Sequence, residues 1–291
     1  MGHGDSMSAL RISAVTVTPV AFADPPLLNS VGVHEPFALR AVVEVSTDGG
    51  LSGLGETYAD ERHLAALRAA ADAIVGADAY HTEQIYRRIQ ALAAWTPDTS
   101  VTVARDLDGV LEYLEDPTPG IDGMAQVARL APMPLATNMC VVAFAHLPPA
   151  IRAGAVQVVL SDHHYWGGLR RSRLLAGICE TFGLGLSMHS NSHLGISLAA
   201  MVHLAAATPN LTYACDTHWP WKTEDVIRGE PMIFTNGAIR VPDAPGLGVE
   251  LDRDALARLH EQYLGCGLRN RDDTGYMRRV DPGYERKQPR W

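Results

Sequence analysis

The sequence predicts an α/β protein: an α+β unit at the N-terminus, then a run of βα units of the kind that build a parallel α/β barrel. Three observations carry this prediction. Five short apolar runs each end in a polar residue: VLEYLED at Glu115, PLATN at Asn138, VQVVLSD at Asp162, LGLSMHS at His189 and LTYACD at Asp216. Those residues are 23, 24, 27 and 27 positions apart, close to the ~30 residues that a strand, a turn and a helix consume. Helix-like stretches such as MAQVARLA and LRRSRLLAGICETFG lie between the runs. In a parallel barrel the C-terminal rim of the strands is where active sites are built.

Taken in order, residues 1–92 read as the α+β unit. LRISAVTVTPVAF alternates like a strand, and FALRAVVEVST with LSGLGE forms a hairpin turned by Asp48-Gly49-Gly50. ERHLAALRAAADAIVG and HTEQIYRRIQAL follow as helices. Residues 93–251 carry the βα alternation and end in a hairpin, MIFTNGAIRVP. Residues 252–291 hold the helix RDALARLHEQYLG and a charged tail from Arg269 without periodicity. Five strands are too few for a closed barrel, so an open doubly wound sheet is the structural alternative. No G-x-G-x-x-G follows the first of them, so nothing points to a dinucleotide.

Composition bounds the function. With 47% hydrophobic and 20% charged residues the chain can fill a core without staples. A net charge of −9 argues against nucleic acid and anionic membranes as partners. Cys140, Cys179, Cys215 and Cys266 are dispersed with no C-x-x-C, as expected of free thiols in a reducing compartment. No apolar run approaches a membrane span and MGHGDSMSALR has no signal-peptide core, so a cytoplasmic location is expected.

The strand ends carry the chemistry. Glu115 and Asn138, on adjacent ends, are hard oxygen ligands suited to Mg²⁺. A third ligand is not obvious. His189, ahead of the helix ISLAAMVHLAAA, is the candidate for proton transfer, with Asp162 on the preceding strand end to orient its ring. His163 and His164 read as loop residues. Pro25–Ser30 and Gly53–Tyr58 read as loops of the first unit, where specificity is often carried.

On these residues the chain resembles the enolase superfamily, and within it the glucarate dehydratase-like group. PPLLNSVGVHEPFALRAVVEV and GLSGLGETY look like that group's capping domain and its specificity loops. LEYLEDP, ATNM, LSDHHYWGG, MHSNSHLGISLA, ACDTHWPW and VPDAPGLGVELD follow in the family's order. The resemblance implies a capping domain on a modified (β/α)7β TIM-type barrel, of which only the last five strands are visible here. It implies Mg²⁺ held by Glu115 and Asn138, and His189 as general base paired with Asp162. Asp216 and Asn191 would also be active-site residues. Asn29, His34, Thr57, Tyr58 and His218 would meet a small acid-sugar substrate. The expected reaction is a dehydration, by removal of the proton alpha to a carboxylate and loss of a β-hydroxyl through an enediolate. An epimerase or racemase of the same superfamily is the alternative, and a homo-oligomer is expected. The chain also departs from the family. The K-x-K pair and the D-P-N motif of the early barrel strands are absent between Leu92 and Ala93, where three barrel units, on the order of 100 residues, are either deleted or, as the exposed edges of a five-strand fragment favour, omitted from this sequence. A chain lacking one metal ligand and the opposite-face base could instead be a non-catalytic relative.

Overall fold

The computed structural model describes residues 10–25, 28–29, 32–33, 35–80, 85, 111–229 and 232–283. The N-terminal strands are β1 (Ile12–Ala23), the short pair β2 (Leu28–Asn29) and β3 (Gly32–Val33), β4 (Phe37–Thr47) and β5 (Ser52–Tyr58). β1, β4 and β5 form an antiparallel sheet in that order. β4 pairs with β1 from Ala23↔Phe37 to Ile12↔Thr47, and with β5 from Arg40↔Tyr58 to Ser46↔Ser52. Gly50 makes the expected hairpin turn with φ at +76°, a value that favours glycine. Helix α1 (Glu61–Ile74) follows. The predicted helix HTEQIYRRIQAL lies outside the described residues apart from Ile85, and so does the Leu92–Ala93 junction.

The second region alternates β6 (Leu114–Glu115), α2 (Ile121–Ala128), β7 (Leu135–Thr137), α3 (Leu147–Ala153), β8 (Val158–Ser161), the one-turn α4 (His163–Trp166), α5 (Leu169–Thr181), β9 (Gly185–Met188) and α6 (Gly195–Ala206). The strands form one parallel sheet in the order β6-β7-β8-β9. Alternation along each strand divides its side chains between two faces. Leu135, Val159 and Leu186 bury against Met124, Val127, Leu147, Trp166 and Leu175 on the helix side. Ala136, Val158 and Leu160 form a small cluster on the other face, closed by Tyr113 and Tyr213.

The fifth predicted strand, LTYACD, is a correction. It runs beside β9 without forming a ladder. The Leu186 amide, which a regular partner would bond through a backbone carbonyl, donates to the Thr212 hydroxyl at 2.8 Å. The Ser187 hydroxyl donates to the Ala214 carbonyl oxygen at 2.6 Å. Side chains therefore occupy bonds that a ladder needs. The backbone still reaches β9 through Tyr213 N to Leu186 O at 3.1 Å and Asp216 N to Met188 O at 3.1 Å, which holds Asp216 at the rim.

At the C-terminus, β10 (Phe234–Thr235) and β11 (Ala238–Ile239) make the predicted hairpin around Asn236 and Gly237, with φ of 52° and 74°. Both angles are positive, as a two-residue type I′ turn requires. Helix α7 (Arg253–Gly265) is capped by Asp252, whose carboxylate accepts from Asp254 N and Ala255 N. It returns to the first sheet, where His260 meets Pro19 O at 2.7 Å and Gln262 donates to Ala21 O at 2.9 Å. The tail was expected to be irregular but contains α8 (Asp273–Val280). Asp272 caps it by accepting from Gly275 N, and Arg279 anchors it on buried Glu35 at 2.6 Å. The Glu35 anchor lies 244 residues away in sequence, so no local periodicity announces the helix. Among the described residues no helix is long and apolar enough to cross a membrane.

Two buried features weld the N-terminal sheet to the parallel one. Val20, Phe22 and Val42 share a core with Met188, Leu194, Ile196 and Leu259. The Glu56 carboxylate, at the end of β5, accepts from Leu194 N at 2.7 Å and Ser197 N at 3.0 Å. No local side chain caps α6. Glu56 performs that role from 138 residues away, satisfying amides that the first helical turn leaves without partners.

Candidate active site

The register of the parallel sheet brings four strand ends to one level. Glu115 closes β6, while Asn138, Asp162 and His189 each immediately follow β7, β8 and β9. The Asn138 side-chain amide lies against Glu115 Oε1 at 2.5 Å. The neighbouring Asp116, held at φ +37°, is fully engaged in shaping this corner. Its carboxylate accepts from the Thr137 hydroxyl, Asn138 N and Met139 N. Burial, with Asp116 and Asp216 nearby, pushes the Glu115 carboxyl up to about 7. Burial also raises Asp216, whose oxygen accepts a very short bond from Ser190 N.

Crowded acids of this kind are stabilised by a bound cation. Glu115 supplies a carboxylate, and the Asn138 amide can turn to present its oxygen, so both suit a hard divalent ion such as Mg²⁺. Asp162, His163 and His164 also bring ligand-type atoms within 4.8 Å of one another. That cluster is a poor cation site, because the Arg40 guanidinium already stands 3.0 Å from His164 Nε2.

Asp162 is fully buried and bonds two imidazoles. Its Oδ2 lies 3.1 Å from His189 Nδ1. Its Oδ1 receives His164 Nδ1 at 2.6 Å and His164 N at 2.8 Å. Burial alone would raise this carboxyl, but the bonds from His164 and His189 outweigh it and hold it well below the usual carboxylate range. A carboxylate only accepts, so His189 Nδ1 carries the hydrogen and Nε2 is left with a lone pair. Burial works against protonation of His189. Asp162, with Asp216 and Glu115 near, reverses that and raises the imidazole above its ordinary value.

The other expected residues are dispersed. Asn191 caps its own turn by accepting from Ser192 N at 2.9 Å. His218 stands 3.3 Å from Ser192 Oγ and lines a small cavity with Phe22, Asp24, His193 and Lys222. Thr57 is half-buried on β5 opposite Ala41. Tyr58 lies with its ring 4.5 Å from the Arg40 guanidinium and stacked on Tyr165 at 6.0 Å. Asn29 pairs with Gly32 in the β2–β3 turn, its side chain lying outside the described residues, as does all of His34.

Sequence reasoning missed His164, Arg40, Glu56 and Asp116. His164 reads as a loop residue in the sequence, yet it bonds Asp162 more closely than His189 does. The signal for Arg40 was a cation inside the apolar run FALRAVV, where an unpaired cation is costly.

A family model described as enolase C-terminal domain-like matches residues 42–255. A probable glucarate dehydratase from Streptomyces coelicolor is 36% identical, with 97% of this chain and 99% of that protein covered. Its 428 aligned positions exceed the 291 residues here by 137. Both chains are aligned almost end to end, so the shortfall is internal. Muconate cycloisomerase 1 from Rhodococcus opacus is 30% identical over 58% of this chain and 46% of its own. An enolase from Mycobacterium smegmatis, solved with formate and acetate, superposes with a TM-score of 0.91 at 46% identity, covering 99% of this chain and 100% of that one. One from Thermobispora bispora, solved with magnesium and formate, does so at 0.90 and 41% identity, covering 97% and 100%. The antiparallel N-terminal sheet is the capping domain and the parallel sheet belongs to a TIM-type barrel: this chain is a member of the enolase superfamily, on its glucarate dehydratase-like side.

Proposed function

We propose that this protein dehydrates an acid sugar, a glucarate-like diacid, with His189 as the base. The observation that carries the reading is the His189–Asp162 pair set beside Glu115 and Asn138 on successive parallel strand ends. Glu115 and Asn138 would hold a divalent cation, which when bound supplies positive charge to a substrate carboxylate and so acidifies the neighbouring C–H bond. His189 Nε2 takes that alpha proton while Asp162 stabilises the imidazolium. The C–H electron pair moves first into the carboxylate as an enediolate, and then forms the alpha–beta double bond as the beta C–O bond breaks. The departing hydroxyl takes a proton from the imidazolium and leaves as water, and the enol product tautomerises to a keto acid. One base suffices for this sequence.

Epimerisation at the alpha carbon would need a second base on the opposite face. The chain contains two lysines, Lys222 and Lys287. Lys222 is held by Asp225 at 2.6 Å with its ammonium over the Trp219 ring. Among the described residues the lysine is therefore engaged by Asp225, which favours dehydration over the isomerase reading. The test is incubation with a panel of hexaric and hexonic acids and Mg²⁺ in deuterated water. Keto-acid formation is followed by colour reaction and alpha-proton exchange by NMR. Dehydration by the wild type, with His189→Asn slower by about 10²–10⁴-fold, is expected. A folded protein that neither forms keto acid nor exchanges the proton of any panel member would be a non-catalytic relative.

A further inference from the structure

We infer that Arg40, on strand β4 of the capping domain, is a positioning residue that fixes the tautomer of His164 and through it the orientation of the Asp162–His189 pair. This rests on the reading of His189 as the base.

The geometry is a continuous buried line. Glu56 Oε1 accepts from Arg40 Nε at 2.8 Å, and Arg40 Nη2 stands 3.0 Å from His164 Nε2. His164 Nδ1 stands 2.6 Å from Asp162 Oδ1, and Asp162 Oδ2 lies 3.1 Å from His189 Nδ1. A guanidinium has only donors, so His164 Nε2 must accept. A neutral imidazole then carries its one hydrogen on Nδ1, aimed at Asp162. The other tautomer would set a lone pair against a carboxylate and a hydrogen against the guanidinium. Glu56 and the Tyr58 ring fix where Arg40 stands. With Oδ1 held by His164, Oδ2 is the oxygen left to His189.

A purely structural Arg40–Glu56 ion pair would use the same burial but would not depend on the state of His164. Two measurements separate the readings. In ¹⁵N-histidine-labelled wild type, long-range ¹⁵N–¹H spectra at neutral pH should show His164 protonated on Nδ1 and bare on Nε2. A hydrogen on Nε2 overturns the inference whatever the activity. The second is a cycle of Arg40→Lys and His164→Asn, with Tm recorded for each variant. The lysine keeps a charge beside Glu56, but its one nitrogen cannot occupy both positions from which Arg40 Nε serves Glu56 and Nη2 serves His164. The asparagine places an amide donor where ring Nδ1 stood and has no tautomer to lose. Arg40→Lys should lower kcat about 10- to 100-fold, the scale on which misplaced catalytic groups act, with KM little changed. In the His164→Asn background the same change should cost less than about threefold, because the coupling runs through the imidazole. An equal loss in both backgrounds assigns Arg40 a structural role only and overturns the inference. If the spectra show the Nδ1 tautomer, and Arg40→Lys disturbs it, but the wild type turns over no acid sugar, the positioning stands and the proposed reaction fails.

Discussion

At the scale of single residues, two carboxylates at the ends of β6 and β8 are driven in opposite directions. Glu115, ordinarily near 4.5, is pushed up to about 7 by burial and adjacent acids. In the metal-free protein the folded state therefore keeps a proton that the unfolded chain has lost. Stability should fall as pH rises from about 4.5 to about 7, which urea titrations across that window would show. A cation at Glu115 must displace this proton. Mg²⁺ added at pH 7 should release protons, seen in calorimetry as a binding heat that varies with the buffer's ionisation heat. Glu115→Gln should abolish that variation, and an unchanged dependence would remove Glu115 from the metal site. Asp162 is the reverse case, because its folded carboxyl lies well below the ordinary 3.8. Its contribution is complete above that value and is lost as pH falls through the folded one. Asp162→Asn turns one acceptor oxygen into a donor facing an imidazole N–H, at a cost of about 2–3 kcal/mol. It should also remove alpha-proton exchange, because His189 loses its orienting partner.

At the scale of elements, the most informative unit is α6, whose first turn is closed by a residue of another domain. Glu56→Ala deletes the acceptor for Leu194 N, Ser197 N and Arg40 Nε at once and leaves Arg40 buried without its counter-ion. The expected cost is about 3–5 kcal/mol in chemical denaturation, with faster amide exchange confined first to the start of α6. A loss below about 1 kcal/mol would show that water replaces the carboxylate. The same element explains what the sequence could and could not disclose. The strand ends were legible because an apolar run followed by one polar residue is a local pattern, and the β4–β5 and β10–β11 turns were legible from their glycines. The Glu56 cap was not, since it pairs residues 138 and 141 positions apart. LTYACD looked like a strand because composition does not reveal that Thr212 and Ser187 side chains would take the ladder's bonds. Asp162 and His189 could be paired from their places on successive strands. His164 could not, because its role depends on an arginine from a different sheet.

At the scale of the whole molecule, the parallel sheet has four strands among the described residues, where a closed barrel has eight. The small inward cluster of Ala136, Val158 and Leu160 is closed by Tyr113 and Tyr213, packed edge to face with centroids 5.3 Å apart. These two rings cover an apolar face of the kind that a closed barrel fills with inward-pointing side chains. Tyr213→Ala should lower stability by about 2–4 kcal/mol and raise the fluorescence of a dye that binds exposed apolar surface. No change in either would show that other residues cover the cluster. The remote cap on α6 also sets a sequence of events in time. Closing a contact across 138 residues demands a large loop-closure entropy that only extensive prior structure can offset. Helices and neighbouring strands can form from short-range contacts, whereas Glu56 reaches Leu194 only after both sheets exist and meet. Refolding should therefore be biphasic, with far-ultraviolet ellipticity recovering first. The ordered ring signals of Tyr58 and Tyr165, and with them turnover, should return in a slower step.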